Sequence, residues 1–242
     1  MELSKRLSAV AGLVTEGASV ADIGTDHGYI PIYLIEENIA CKVIALDINQ
    51  GPLERARIHI AGCGLTDKIE TRLSDGLARV MPGEVDTMIA AGMGGGLVIH
   101  ILDEGKAVTD QMMYCILQPQ SEIDKVRRYV LSHGFRIEEE DMVEEDGKYY
   151  PMMRLVHKEK ETESITHSEE PYKEWEYLYG RKLLEKKHPV LKAYLERELR
   201  IREGILAGLK GKTGERIEER VREIKREAEL ARRALECYQE RS

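Results

Sequence analysis

Long hydrophobic runs are missing from this sequence: no stretch comes near eighteen consecutive apolar residues, which argues against a membrane-spanning helix. The opening Met-Glu-Leu-Ser-Lys-Arg has no apolar signal core, so the chain reads as cytoplasmic. Cysteine is sparse. Cys41, Cys63, Cys115 and Cys237 form no Cys-x-x-Cys pair and no cluster with histidine at zinc spacing, so neither a disulfide framework nor a metal site is expected. Positive charge is not in excess either. The net charge of −8 argues against bulk coating of nucleic acid, and DNA is not expected as a partner. What is present is 242 residues, 42% hydrophobic and 33% charged, enough for one full-sized domain and an appendage.

The charge is unevenly placed. Residues 1–158 hold 16 basic against 25 acidic side chains, whereas residues 159–242 hold 20 against 19. A polar run at 158–171, closed by Pro171 and nearly free of apolar side chains, separates the two parts as a linker would. Two domains are therefore expected, at 1–158 and 171–242. In the second, Ile217, Val221, Ile224, Ala228, Ala231, Leu235 and Tyr238 recur at alternating spacings of four and three, the stripe of a coiled-coil seam. Leu191, Leu195, Leu199, Ile205, Leu206 and Leu209 form a less regular stripe interrupted by Arg202, and Gly208, Gly211 and Gly214 lie between the two. So short a break favours an antiparallel helical hairpin within one chain, and a monomer, over a dimerising coiled coil.

The first part alternates strand and helix. Residues 19–23, 42–46, 69–73, 85–89 and 114–118 are short aliphatic or β-branched runs, each followed by a turn signal, with helix-like segments between them, most plainly 51–61 and 122–132. Such alternation predicts an α/β fold with a parallel sheet covered on both faces. Residues 135–143 and 149–156 then read as a hairpin of antiparallel strands at the sheet's edge.

Ligands of open parallel sheets sit beyond the carboxyl ends of the strands. The first strand ends in Asp-Ile-Gly-Thr-Asp-His-Gly at 22–28, where Gly24 and Gly28 permit a sharp turn and Asp26 and His27 occupy the place of a pyrophosphate. A carboxylate there repels phosphate and attracts an α-ammonium group, which favours S-adenosylmethionine over NAD. Asp47, at the end of the second strand, lies at the spacing of a ribose-binding acid, and Asp75, with Gly76 after the third, can accept from an adenine amino group. Singly, each of these acids is as readily a cap or turn residue. Gly92 and Met93 open a glycine-rich entry to a helix, which fits close approach to a ligand or simply a flexible loop. Gln118 in Leu-Gln-Pro-Gln at 117–120 has both donor and acceptor for a base edge, and Tyr149 in Gly-Lys-Tyr-Tyr-Pro at 147–151 can stack on a base or pack on the edge. Lys5, Arg6, Lys125, Arg127, Arg128 and hairpin cations such as Lys210 and Lys212 are candidate phosphate contacts or solvated helix faces.

These segments, with Leu-Ser-Lys-Arg-Leu at 3–7, Ser-Asp-Gly-Leu at 74–77 and Ala-Gly-Met-Gly-Gly at 91–95, resemble the bacterial tRNA (adenine-N1)-methyltransferases that modify adenine 22. The hairpin is similar to that family's carboxy-terminal coiled coil. The resemblance implies a Rossmann-like class I domain that moves a methyl group from S-adenosylmethionine to tRNA. It implies that Gly24, Asp26, His27 and Gly28 line the methionine end, that Asp47 and Ile48 hold the ribose, and that Asp75, Gly76, Gly92 and Met93 surround the adenine and sulfonium. Asp26, Gln118 and Tyr149 are the candidate catalytic residues. A methyltransferase of small molecules or proteins and a non-catalytic nucleoside-binding adaptor are the rival readings.

Overall fold

A computed structural model describes residues 2–157 and 170–239, so all but the last two residues of the expected linker at 158–171 lie outside the described residues. The chain divides into two compact units, Met1–His167 and Ser168–Ser242. In the first, α1 (Lys5–Gly12) starts at Ser4, whose Oγ accepts a hydrogen bond from the Leu7 amide. There follow β1 (Ala18–Ile23), α2 (Tyr29–Glu36), β2 (Ala40–Asp47), α3 (Gln50–Gly62), β3 (Ile69–Leu73), β4 (Thr87–Met93), α4 (Gly95–Glu104), α5 (Lys106–Thr109), β5 (Tyr114–Pro119), α6 (Ile123–Ser132), β6 (Phe135–Glu145) and β7 (Lys148–His157).

The seven strands form one sheet in the order β3-β2-β1-β4-β5-β7-β6. The first five run parallel, and β7 inserts antiparallel between β5 and β6. The connection that carries the chain from one side of β1 to the other makes the β1/β4 boundary the switch point.

Alternation along each strand sends side chains to two cores. Ala21, Ile44, Ala90, Leu117 and Met153 pack with α4 and α6 residues such as Val98 and Val130. Val20, Val43, Ile89, Ile116 and Met152 pack with α1 and α2 residues such as Val10 and Ile32. The same parity assigns Asp22, Ala91, Gln118 and Tyr150 to the α1 face of the sheet and Tyr149 to the other.

Two expectations change in the sheet unit. The strand expected at 85–89 runs instead over Thr87–Met93. Asp86 is spent on Ser19, whose amide and hydroxyl both donate to its Oδ2 at 3.0 and 2.9 Å, while a bulge at Gly92, φ +80°, carries the strand on to Met93. Arg127, a candidate phosphate contact, is 1% exposed. Its Nε donates to Glu140 Oε1 at 2.8 Å, a carboxylate with no exposure at all.

The second unit holds α7 (Glu174–Tyr179), α8 (Arg181–Glu185), α9 (Pro189–Leu209) and α10 (Glu215–Glu236). Pro189 opens α9, and Gly211 and Gly214, both at positive φ, turn the chain into α10. The pairs Arg202–Glu227, Glu203–Arg232 and His188–Tyr238 show that α9 and α10 run antiparallel. Ile224, Ala228, Ala231 and Ala234 are its buried seam. The expected stripe has Leu235 where the helix instead turns Ala234 inward, and Ile217 and Val221 near the tip are only half-buried. Arg202, which interrupts the upstream stripe, is held by Glu198 and Glu227. Among the described residues no helix is long and apolar enough to cross a membrane.

Candidate active site

Backbone hydrogen bonds tie the ends of β1, β2 and β3 together. The Gly24 and Thr25 amides donate to Leu46 O at 2.8 and 2.9 Å, and the Ser74 amide donates to Asp47 O at 2.9 Å. Adjacent strands therefore present Asp22 and Asp26, Asp47, and Asp75 in sequence along one rim.

The loop after β1 turns through three left-handed residues, Gly24, His27 and Gly28, at φ +74°, +60° and +68°. Only the glycines adopt this freely. A β-carbon at Gly24 would fall on the Met93 methyl group, so the tips of β1 and β4 meet in direct contact. His27 stacks on Tyr29 with ring centroids 5.3 Å apart, and its carbonyl lies 3.0 Å from His59 Nδ1. Asp26, 60% exposed, is paired with Arg55 of α3 at 2.9 Å. The carboxylate nearest the loop's interior is Asp22, which is buried. Its pKa is pushed up to about 7, chiefly by burial and further by the Asp47 charge, while Thr25 draws it down in part. The Thr25 hydroxyl itself is buried without a full hydrogen bond.

Asp47 is mostly buried, and its Oδ1 accepts from the Asn49 amide at 2.6 Å, which fixes the carboxylate at the strand end. Next to it Ile48 is 60% exposed, an aliphatic surface beside an acid. After β3, Ser74 Oγ donates to Gly76 O at 2.9 Å and accepts from the Arg79 amide, so the turn that exposes Asp75 is rigid. At the other strand tips, Gln120 N donates to Met93 O at 2.8 Å, and Gly95 sits so close to Ser121 O that no side chain fits there.

Two hollows open on this rim. The first, about 260 Å³, is lined by Arg6 and Leu7 of α1, by Asp22, Gly24, Thr25 and Asp26, and by Tyr29, Ile30 and Ala91. The second, about 410 Å³, lies between residues 75–78 and α4, where His100, Ile101 and Glu104 line it. Gly24 and Asp26 thus share one hollow, and Asp75 and Gly76 the other. His27, Gly28, Asp47, Ile48, Gly92 and Met93 line neither, and nor do Gln118 and Tyr149, the two residues expected to hold the target adenine. Gln118 is fully buried: its Oε1 accepts from Arg6 Nη1 at 3.0 Å and its Nε2 donates to Pro119 O at 3.3 Å. Tyr149 is turned to the opposite face of the sheet, and it is Tyr150 whose ring meets Arg6, 5.7 Å from the guanidinium carbon. Sequence reasoning missed Arg6, Asp22 and Thr25 as lining residues. Asp22 and Thr25 lay inside the motif it quoted, whereas the return of α1 over the sheet left no local signal.

A sequence profile of the methyltransferase domain matches residues 3–153. The tRNA (adenine(22)-N(1))-methyltransferase of Bacillus subtilis is 38% identical over 153 residues, 63% of this chain and 64% of that protein, slightly under two thirds of its length. The crystal structure of the B. subtilis m1A22 tRNA methyltransferase TrmK superposes with a TM-score of 0.80 at 30% identity, covering 97% of this chain and 99% of that one. This chain belongs to the tRNA (m1A22) methyltransferase family. A further member, TrmK of M. capricolum, was solved with the cofactor product S-adenosyl-homocysteine. It is 28% identical, with a TM-score of 0.81, over 99% of this chain and 100% of that one. Both hollows lie inside the profile match. The helical unit lies outside that match, yet the superpositions extend over it.

Proposed function

We propose that this chain moves a methyl group from S-adenosyl-L-methionine to N1 of an adenine in tRNA, adenine 22. The observation that carries the proposal is the knitted rim, where three neighbouring strand ends present acids around a loop that Met93 roofs. The residues fit the cofactor. The buried Asp22 beside the Thr25 hydroxyl suits an ammonium group, and a carboxylate at Asp47 suits two ribose hydroxyls. Ile48 offers the apolar cover for an adenine whose amino group Asp75 can accept from, and Met93 borders the sulfonium. Asp26 is the outer acid of the same loop, its charge offset by Arg55.

When bound, the cofactor supplies an electrophilic methyl group. Adenine N1 has its lone pair in the ring plane, so the chain has to orient the base rather than generate a nucleophile, and no strong general base is required. N1 also lies on the Watson–Crick edge, so the target must be unpaired and turned out of its stack to enter. Tyr150, held against Arg6 on the α1 face, is better placed than Tyr149 for stacking on that base. Gln118 supports the same corner through Arg6. The helical unit supports a tRNA-facing role through its tip, where Lys210, Lys212, Arg222 and Lys225 rim an apolar groove at Leu206 and Leu209. Closure of the hairpin within one chain supports a monomer.

The test is transfer from labelled cofactor to unmodified bulk tRNA, followed by nucleoside analysis. N1-methyladenosine is the expected product. Unlabelled tRNA beside an intact cofactor-binding protein would favour a small-molecule or protein substrate, or a non-catalytic role.

A further inference from the structure

We propose that Gln120 holds the target adenine by its Hoogsteen edge and so turns N1 towards the methyl group, an inference that rests on the methyl-transfer reading of the rim and deepens it. The base leaves few ways to be held. N1 attacks with its own lone pair, so a contact along the Watson–Crick edge would occupy the reacting atom. What remains is the N6 amino group as donor and N7 as acceptor. A glutamine amide meets both at once, its Oε1 accepting from N6 and its Nε2 donating to N7. Guanine presents acceptors at both positions and would leave Oε1 unpaired.

Such an amide lies beside Met93, which borders the sulfonium in that reading. Gln120 is exposed, and no hydrogen bond among the described residues engages its side chain. Gln118, two residues earlier, is by contrast spent on Arg6 and Pro119. A β-carbon at Gly92 would stand 3.7 Å from Gln120 Nε2 and 3.4 Å from Arg6 Nη1, so the amide lies over the β4 bulge on the α1 face, where Tyr150 meets Arg6. Its backbone is fixed. The Gln120 N–H donates to Met93 O at 2.8 Å, the buried Pro119 pairs with Met93, and Gly95 N donates to Ser121 Oγ at 3.3 Å. A free side chain on a clamped backbone loses only its own rotamers on meeting the base. The contact also favours reaction. As the methyl group passes from sulfur to N1, positive charge passes to the base, N6–H becomes a stronger donor, and its bond to Oε1 tightens in the transition state.

The experiment is a thermodynamic cycle on the full chain: single-turnover methylation of a tRNA transcript with adenine or 7-deazaadenine at the target position, by the wild type and by Gln120→Ala. The analogue replaces N7 by C–H and keeps N1 and N6. Its altered ring reactivity enters both proteins alike, so the ratio between them isolates the contact. Gln120→Ala is expected to slow methylation of adenine about ten- to hundredfold, as befits a bidentate pair, while its calorimetric affinity for S-adenosylmethionine stays as in the wild type. The preference for adenine over 7-deazaadenine should be about fivefold larger in the wild type, the share of one neutral hydrogen bond. Gln120→Glu, which keeps the acceptor and loses the donor, should lose that preference as fully as Gln120→Ala does, yet retain more of the rate through N6. The same preference in all three proteins would overturn the assignment, as would a Gln120→Ala protein as fast as the wild type. So would a rate that falls only in step with cofactor affinity, which would make Gln120 a prop for the β4 tip. A wild type that binds the cofactor and leaves adenine in tRNA unmethylated would overturn the methyl-transfer reading itself, and this inference with it.

Discussion

The two units differ in how deeply their charges are buried, although each also carries pairs of intermediate exposure such as Arg181–Glu176 in the helical unit. In the sheet unit, charge is taken inside: Arg127 and Glu140 are paired with almost no exposure, and Asp22 sits buried at a strand end. In the helical unit the ion pairs Glu203–Arg232 and Glu229–Arg233 lie on the surface, each partner about half exposed. Interior charge is costly unless matched, so each of these buried groups has one specific place, a structural one for Arg127 and, under the proposed function, a cofactor-facing one for Asp22. Surface charge is cheap and exchangeable, and there the apolar seam of Ile224, Ala228 and Ala231 fixes the structure.

Breaking the interior pair should have the largest effect. Glu140→Ala removes one member of a buried ion pair and should lower unfolding stability by about 3–5 kcal/mol, read as a shift in urea midpoint. Glu203→Ala in the helical unit should cost under about 1 kcal/mol, and similar losses at the two sites would erase the contrast. At the rim, Gly24→Ala forces a β-carbon into a left-handed residue and onto the Met93 methyl. A stability loss of about 1–2 kcal/mol should accompany weaker cofactor binding.

Asp22 gives the contrast a pH signature. Its folded pKa near 7 exceeds the ordinary 3.8, so between those values the native state binds the extra proton. This group therefore favours folding fully below about pH 4, and that contribution is lost as pH rises towards and through 7. Asp22→Asn should remove the slope, so the variant gains on the wild type between pH 5 and 7.5. A constant difference across that range would show the carboxyl to be ionised throughout. Smallest is the tip of the helical unit. Lys210→Glu with Lys212→Glu should weaken tRNA binding at fixed salt and flatten its salt dependence while leaving cofactor affinity unchanged, and an unaltered salt slope would remove the tip from the interface.

What could be read from the sequence follows the same division. β1, β2 and β5 were visible as aliphatic runs ending in turn residues, because a strand buried on both faces has little freedom in composition, whereas the edge strand β3, with only Ile69 buried, was visible from its short run and the turn after it. The α9/α10 hairpin was visible because its seam repeats. The acids at 26, 47 and 75 could be placed on one rim because a parallel sheet aligns its strand ends. Less legible was anything set by distant contacts. Lys125, Arg127 and Arg128 look alike as a basic run, and only the packing of α6 on β6 separates the buried one. Arg6 looks like a surface cation until α1 folds back to Gln118 and Tyr150, residues more than a hundred positions away. The choice of Tyr149 over Tyr150 turned on strand parity, which the hairpin's register decides. The short α7 and α8 carry too few turns for periodicity to register.

The most direct measurement is a calorimetric titration of S-adenosylmethionine into the wild type and Asp47→Ala. One site per chain is expected, weakened about tenfold or more by the substitution, as befits the loss of hydrogen bonds to a charged acceptor. Unchanged affinity in Asp47→Ala, or no binding to the wild type, would contradict the assignment of these strand ends to a single cofactor.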